Sequence, residues 1–325
     1  MKRILSSISL VLSVFAPLQA QTDSLRALSS DSSIHWLSFV RENPQHSFPA
    51  EIPPGNYSGI TPIGNNLFAV VDDKKEDGFY VFSLKFNERG EVYSAYNVGF
   101  IASGLPNRDA EGIVYVPSTK TLFTSGEKHN DILEYGLDGV PTNRRLMIPE
   151  FFKKAIPNRG FEALAYNANT HLFWTTTESP LQGDTILRLQ SFGEDLQPRG
   201  SFNYRLDNPD SDSIGVRVHG VSGMTTLDDG SLLILEREAL TTNEKLGSWV
   251  NCKVYQVNPQ HSSGKHLIHE WKTTISLFHR DFANYEGMCL GPVLEDGSRT
   301  ILLISDSQNQ YSGFLSDWFK TLVVK

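Results

Sequence analysis

The sequence contains only two cysteines and lacks several familiar functional motifs. Cys252 and Cys289 lie in the apolar, strand-like segments "NCKVYQV" and "GMCLGP". The sequence therefore allows either a disulfide or two buried free thiols. There is no G-x-S-x-G elbow, Walker loop, HExxH motif or EF-hand loop, and the mechanisms that depend on them have no support. No long amphipathic helix is evident either, which leaves a fold built from strands.

Residues 1–20 are typical of a secretory signal. Lys2 and Arg3 precede a mostly apolar stretch over residues 4–15, and "PLQA" ends on a small residue before Gln21. The apolar stretch is too short for a membrane span, and no second long one follows. No cysteine follows the signal, which argues against a lipoprotein anchor. We therefore expect a secreted or periplasmic protein with one domain over residues 21–325.

Basic residues are fewer than acidic ones. Without Lys2 and Arg3, 27 basic residues remain against 37 acidic residues, a net charge of −10. This balance argues against nucleic acid as a partner and suits a chain whose acids surround a cation. A hydrophobic content of 39% with 11% aromatic residues indicates a globular chain.

A short segment recurs five times along the chain. Each copy has Ser or Glu, then a small residue, then an aliphatic residue, and the copies are "YSGITPI", "AEGIVYV", "FEALAYN", "VSGMTTL" and "YEGMCLG". The key positions are Ser58, Glu111, Glu162, Ser222 and Glu286. Units of this length, repeated in this order, are typical of the blades of a β-propeller.

Each copy leads through a turn into a second strand that ends in acidic residues. These strands are "LFAVVDD", "LFTSGEK", "LFWTTTES", "LLILERE" and "ILLISDS", and third and weaker fourth strands follow. The last unit lacks a fourth strand, which "SIHWLSFV" near the N-terminus can supply. The sequence therefore predicts an all-β, five-bladed propeller of four-stranded antiparallel blades, closed by an N-terminal strand. Six blades are the alternative, and an unrelated β-sandwich does not explain the repeated strand order.

The first strand of each blade lines the central channel, so the five key positions are expected to form a ring at one mouth. Three glutamates converging there would repel one another without a counter-charge. Their oxygens, with those of the two serines, suit Ca²⁺, whereas zinc prefers Cys or His and Mg²⁺ needs a tighter octahedron. We therefore predict a calcium site at Ser58, Glu111, Glu162, Ser222 and Glu286. The alternative is that these side chains cap strand ends by bonding backbone amides.

The ends of the second strands lie at the same mouth and supply further candidates. A cation, basic side chains and a proton-moving group together make up a metal-assisted phosphoryl site. The candidate catalytic residues are Asp72, Asp73, Glu178 and His129. The candidate substrate-binding residues are Arg108, Arg159, Arg237 and Lys128. For each arginine the alternative is an ordinary ion pair, and for His129 an exposed loop side chain.

The motif blocks resemble a known family. "RDAEGIVYVP", "NRGFEALAYN", "HGVSGMTTLDDGSLLILERE" and "NYEGMCLGPVLEDGSRTILLISDSQNQ" are similar to the bacterial phytase-like, esterase-like family of secreted β-propellers over roughly residues 57–310. That family's name implies phosphoester hydrolysis. The order Ser, Glu, Glu, Ser, Glu around the ring also resembles the calcium-activated nucleotidases, or apyrases, and this second resemblance implies one axial Ca²⁺. The basic loop motifs with which apyrases bind nucleotides are not evident here.

These observations predict a secreted, calcium-dependent phosphoesterase that acts on a small phosphorylated molecule. Two alternatives remain open at this point. The propeller could be a binding or scaffold module in which calcium is only structural, or a lactonase or carboxylesterase on the same fold. We expect a monomer with no nucleic-acid partner and no membrane span.

Overall fold

The computed structural model describes residues 35–209, 215–243, 245–261, 264–276, 281–311 and 315–325. One compact unit spans Trp36–Lys325. The expected export signal at residues 1–20 lies outside the described residues. Within the described part, no helix is long and apolar enough to cross a membrane.

The described residues form twenty strands, and one short 3₁₀-helix lies at Glu150–Lys154. Strand β1 spans Phe39–Glu42. Blade 1 contains β2 (Tyr57–Gly64), β3 (Leu67–Asp72), β4 (Gly78–Phe86) and β5 (Val92–Ala102). Blade 2 contains β6 (Ala110–Val116), β7 (Thr121–Gly126), β8 (Asp131–Gly136) and β9 (Pro141–Arg145). Blade 3 contains β10 (Phe161–Asn167), β11 (Leu172–Thr177), β12 (Leu187–Gly193) and β13 (Pro198–Tyr204). Blade 4 contains β14 (Val216–Thr226), β15 (Leu232–Thr241), β16 (Trp249–Val257) and β17 (Lys265–Thr274). Blade 5 contains β18 (Asn284–Val293), β19 (Arg299–Asp306) and β20 (Phe319–Val324).

Each blade is a four-stranded antiparallel sheet whose first strand lies innermost. The innermost strands β2, β6, β10, β14 and β18 contact one another in that order, and β18 returns to β2. The described residues therefore close into a five-bladed propeller, as the repeat predicts, and the six-bladed alternative is wrong.

Strand β1 supplies the outer strand of blade 5. It pairs antiparallel with β20, so the N-terminal and C-terminal segments share one sheet. The closing strand is confirmed, but it lies at Phe39–Glu42 and not over the whole of "SIHWLSFV". Leu37, in the middle of that segment, packs against the core between blades 4 and 5. Strand β1 contains the last two residues of the segment and the polar pair Arg41 and Glu42, and it joins the blade through its antiparallel pairing with β20.

The hydrophobic core is divided among the five interfaces between blades. Blades 1 and 5 meet through a cluster that includes Tyr57, Phe82, Leu302 and Phe319, and each of the other four interfaces has its own cluster. Twisted sheets that pack face to face around an axis bury both faces, so most strands are apolar along their whole length. Cys252 and Cys289 are both buried and free, and no disulfide joins them.

Every innermost strand contains a β-bulge at its ring position. The pairing register shifts across Ser58, Glu162, Ser222 and Glu286, and in blade 2 across Glu111 and Gly112. A bulge leaves one residue outside the ladder and re-aims its side chain. The five ring side chains are thus turned out of the regular alternation of their strands at the same level of the channel.

The small residue after each ring position is required by close packing around the axis. A Cβ atom at Gly59 would lie 2.5 Å from the carbonyl oxygen of Glu111 in the next blade. At Gly112 it would lie 2.8 Å from the backbone nitrogen of Leu164, also in the next blade. The innermost strands therefore approach one another backbone to backbone, which explains the second position of the repeat.

Candidate acidic site at one mouth of the channel

The ring glutamates and the ends of the second strands converge at one mouth of the channel. Glu111, Glu162 and Glu286 are close enough to interact through their charges. Further carboxylates from the strand ends join them, including Asp73, Glu178 and Asp306. The predicted ring therefore exists as a concentration of acidic side chains.

Arg237 neutralises one side of this acidic mouth. Its guanidinium donates to Glu178 at 2.9 Å, to Asn284 at 2.9 Å and to Glu286. The arginine and both glutamates are buried or nearly so. Glu286 and Glu178 thus have an internal counter-ion, and Arg237 is engaged within the protein, where the sequence predicted a residue that binds substrate.

Three other carboxylates form a compact cluster near Glu286 at the same mouth. Asp73, Asp109 and Glu111 each offer an oxygen, and these oxygens lie within 4.8 Å of one another. The Ser58 hydroxyl lies near Glu111 and donates to the backbone carbonyl of Asn56 at 3.5 Å. The only ammonium that pairs with this cluster in the described part of the chain is that of Lys74, which contacts Asp73 and lies 3.1 Å from Asp109. We call Asp73, Asp109 and Glu111 the acidic triad.

Burial and mutual repulsion raise the pKa of several of these acids. The pKa of Glu111 is well above its usual value because the side chain is buried and faces Glu286 and Asp73. The pKa of Glu162 is raised in the same way by burial and by Glu111. Burial raises the pKa of Asp73 to about 6, although Lys74 opposes the shift. The mouth therefore has more negative charge than Arg237 and Lys74 can stabilise.

The donor chemistry of the acidic triad fits a hard divalent cation. Carboxylate and hydroxyl oxygens are the ligands that Ca²⁺ takes, and neither Cys nor His belongs to the cluster. One oxygen of Asp73, Oδ1, is buried without a hydrogen-bond partner. Glu162 is 8% exposed and makes no hydrogen bond or ion pair with any residue that the structure describes. A buried oxygen without a partner, such as Oδ1 of Asp73, is what a metal ion would bind.

The remaining ring position is occupied differently. The Ser222 hydroxyl donates to the backbone carbonyl of Tyr285 at 3.1 Å. Glu286 differs from the other two ring glutamates because it pairs with Arg237. Glu111 and Glu162 form no ion pair with the described residues, so they are the ring carboxylates without a basic partner.

Arg108 does not face the mouth. Its guanidinium is buried and donates to the Tyr135 hydroxyl at 2.6 Å, to Thr124 at 3.1 Å and to Asp131. A longer ion pair at 3.4 Å reaches Asp77 in blade 1. These contacts fix Arg108 between blades 1 and 2, so its guanidinium is not available as the anion clamp that the sequence predicted.

Two acids at the rim of the mouth bond backbone amides. Asp72 accepts hydrogen bonds from the backbone of Asn56 at 3.3 Å and of Lys74 at 3.1 Å. Glu127 accepts one from Gly160 at 2.7 Å and so ties blade 2 to blade 3. Asp72 therefore holds the turn after β3, and its carboxylate is occupied there.

The other predicted rim residues remain at the surface. His129 and Lys128 are exposed, and the Lys128 ammonium contacts the side chain and the backbone oxygen of Asn107. Arg159 is half-buried, and its guanidinium makes no hydrogen bond or ion pair with the described residues. Of the predicted basic side chains, Arg159 is thus available to an anion, while Arg108 and Arg237 are engaged.

The sequence did not predict that Asp109 and Lys74 belong to the metal site. Asp109 stands between Arg108 and the ring glutamate, and its backbone adopts a left-handed conformation with φ of 55°. Aspartate tolerates that conformation better than most residues, so an acid in a turn two residues before the ring position was the available signal. Lys74 directly follows Asp73, but its ion pair with Asp109 of the next blade depends on the closed ring of strands.

The other end of the channel carries a cavity of about 240 Å³. Its lining includes the apolar residues two positions after the ring, which are Ile60, Ile113, Leu164, Met224 and Met288. Asp228 is the one charged residue in the lining, and the rest is apolar or neutral. The cavity and the acidic side chains therefore lie at opposite ends of the channel. The acidic mouth is the better candidate for the functional site, because titratable groups converge there.

Comparisons with solved structures give distant similarities. An endo-arabinase from Bacteroides thetaiotaomicron is 12% identical, with 83% of this chain and 94% of that chain covered and a TM-score of 0.48. The pyranose dehydrogenase PQQ domain from Coprinopsis cinerea is 11% identical, with 87% and 98% covered and a TM-score of 0.43. No curated protein sequence matches the chain.

A family model matches most of the chain and identifies its family. The phytase-like model, described as esterase-like activity of phytase, matches residues 52–308. This match includes all five ring positions and the acidic triad. The resemblance to apyrases stays a prediction. The chain therefore belongs to the phytase-like family.

Proposed function

We propose that this protein is an exported, calcium-dependent phosphoesterase whose active site is the acidic mouth of the channel. The observation that supports this most is the acidic triad, with three carboxylate oxygens within 4.8 Å and one lysine as counter-ion. Membership of the phytase-like family favours a hydrolase. The signal-like residues 1–20 favour export to the periplasm or the medium.

The residues divide into metal-binding and substrate-handling groups. Asp73, Asp109 and Glu111 would hold Ca²⁺ with Ser58 beside them, and the bound ion would polarise phosphate oxygens. Glu162 has no hydrogen-bond partner among the described residues, so its carboxyl group can hold a water molecule or the leaving group. The site assigned here is therefore displaced from the five-fold axis toward blades 1 and 2.

Anion binding would come from basic side chains at the same mouth. Arg159 lies two residues before Phe161 at the start of β10, and its guanidinium is free of described partners. A guanidinium beside a metal ion is well suited to clamp phosphate oxygens. Arg237 acts indirectly, because it holds Glu178 and Glu286 in place at the wall of the site.

Phosphatase assays with variants of the acidic triad test this proposal. Purified protein without its signal would be given phytate, a nucleoside diphosphate and an aryl phosphate, each with Ca²⁺ and with chelator. Asp109→Asn and Glu111→Gln are expected to lower turnover at least 100-fold, because each removes one charged ligand. The matched control is Glu150→Gln, which changes an exposed glutamate on the 3₁₀-helix and should leave turnover unchanged.

One observation favours a second candidate, a non-catalytic binding module stabilised by calcium. Two of the three predicted arginine clamps, Arg108 and Arg237, are used inside the protein. If no phosphoester is turned over and chelator lowers only the melting temperature, this second candidate replaces the first. Turnover of aryl acetates or lactones in the same assay would indicate a carboxylesterase or lactonase.

A further inference from the structure

Lys74 pairs with carboxylates of the acidic triad that a bound metal ion would also use. It follows the last residue of β3 by two positions, and its side chain is 64% exposed. Its ammonium contacts Asp73 of blade 1 and lies 3.1 Å from Asp109, just before blade 2. Lys74 thus bridges two of the three carboxylates of the triad.

A divalent cation bound to the same oxygens would place two positive charges beside this ammonium. The two cations would repel each other, and the Lys74 ammonium already contacts one oxygen of Asp73 and one oxygen of Asp109. We infer that Lys74 is an internal cation of the metal site, which holds the carboxylates together in the metal-free protein and leaves them when Ca²⁺ binds. This inference rests on the metal site of the proposed function.

Displacement would give Lys74 a second role. Its backbone is anchored by the hydrogen bond from Lys74 N to Asp72 at 3.1 Å, so the ammonium moves only on its flexible four-carbon stem. Released from Asp73 and Asp109, it stays at the mouth and can pair with an anion bound beside the metal. Metal binding and anion binding are then coupled, and each strengthens the other.

Calcium titration by isothermal calorimetry tests the displacement. The proteins compared are the wild type, Lys74→Met and the matched control Lys75→Met, all stripped of metal with chelator. Lys75 is the neighbouring lysine, but its ammonium lies over the rings of Phe100 at 4.6 Å and Tyr80 at 5.5 Å. Lys74→Met is expected to bind Ca²⁺ about tenfold more tightly than wild type, because it removes the competing ion pairs. Lys75→Met makes the same change in net charge and should shift the affinity less than twofold.

The outcomes separate this inference from the proposed function. Equal calcium affinity in wild type and Lys74→Met would overturn the displacement while leaving the metal site intact. Absence of calcium binding in all three proteins would overturn the metal site itself. A melting curve of each variant with chelator confirms that the proteins are folded.

Inorganic phosphate serves as the probe for the second role of Lys74. We expect phosphate to bind the calcium-loaded wild type at least fivefold more tightly than the metal-free protein. At saturating Ca²⁺, Lys74→Met should bind phosphate at least fivefold more weakly than Lys75→Met. Equal phosphate affinities for these two variants would show that the released ammonium does not bind the anion.

Discussion

Replacing Arg237 with methionine tests whether this residue is the structural counter-ion of the acidic mouth. The guanidinium pairs with Glu178 and Glu286, and all three side chains are at most 12% exposed. Removal of one partner from a buried ion pair costs about 3–5 kcal/mol, because a buried charge loses its compensation. We therefore expect Arg237→Met to lose about 3–5 kcal/mol of unfolding free energy.

Urea denaturation at pH 7 in the presence of chelator measures this loss. The matched control is Arg199→Met, which removes an arginine whose pair with Asp195 is about half exposed on both sides. Such a surface pair is worth about 0.2–1 kcal/mol, so the control should change little. A loss below about 1 kcal/mol for Arg237→Met would refute the assignment of Arg237 as a buried counter-ion.

Two further predictions concern the packing of the blades and their closure. Gly59→Ala should destabilise the fold by about 1–3 kcal/mol, because its Cβ would lie 2.5 Å from a backbone oxygen of blade 2. Gly200→Ala should be nearly neutral, because its Cβ meets no atom within 4 Å. Thermal unfolding of both variants measures this difference, and equal melting temperatures would contradict the close approach of the strands. The hydrogen bond with His269, assisted by Lys320, lowers the pKa of Glu42 to about 2. The ionised Glu42 therefore stabilises the closed blade 5 fully only at pH values above its unfolded pKa, which is near 4.5. Glu42→Gln should cost about 1 kcal/mol at pH 6 after allowance for solvent screening, and urea titrations should show the difference disappearing as the pH falls from 4.5 to 2.

The repeat in the sequence was sufficient to predict the blades and the level of the ring. Strand alternation and turn residues are local properties, and five copies in register made the propeller predictable without knowledge of any contact. Even the small residue of each copy was visible, although its cause was not. Gly59 is small because the carbonyl of Glu111 lies against it, and that contact exists only after the ring of blades has closed.

The partners of charged side chains could not be predicted in the same way. Arg108 and Arg237 both lie in charged segments near strand ends, where the sequence does not show which side of a blade a long side chain will take. Arg108 turns between blades because Tyr135 and Asp131 lie within its reach there. Arg237 turns toward Glu178 and Glu286, which come from the neighbouring blades on either side. The partners of each arginine depend on three chain segments that meet only in the folded protein. They therefore cannot be predicted from any one of these segments.

The location of the metal follows from the same contacts. The sequence predicted one cation at the centre of five equivalent positions. Because Arg237 pairs with Glu286 while Glu111 clusters with Asp73 and Asp109, the five positions are not equivalent in the folded protein. The proposed calcium site therefore lies off the axis, at Asp73, Asp109 and Glu111.

A crystal structure of the protein grown with millimolar Ca²⁺ tests this location most directly. The account predicts a cation with oxygen atoms of Asp73, Asp109 and Glu111 at about 2.3–2.6 Å, with the Lys74 ammonium moved away from Asp73 and Asp109. A cation equidistant from all five ring positions, or an acidic triad that still pairs with Lys74 and holds no ion, would contradict it.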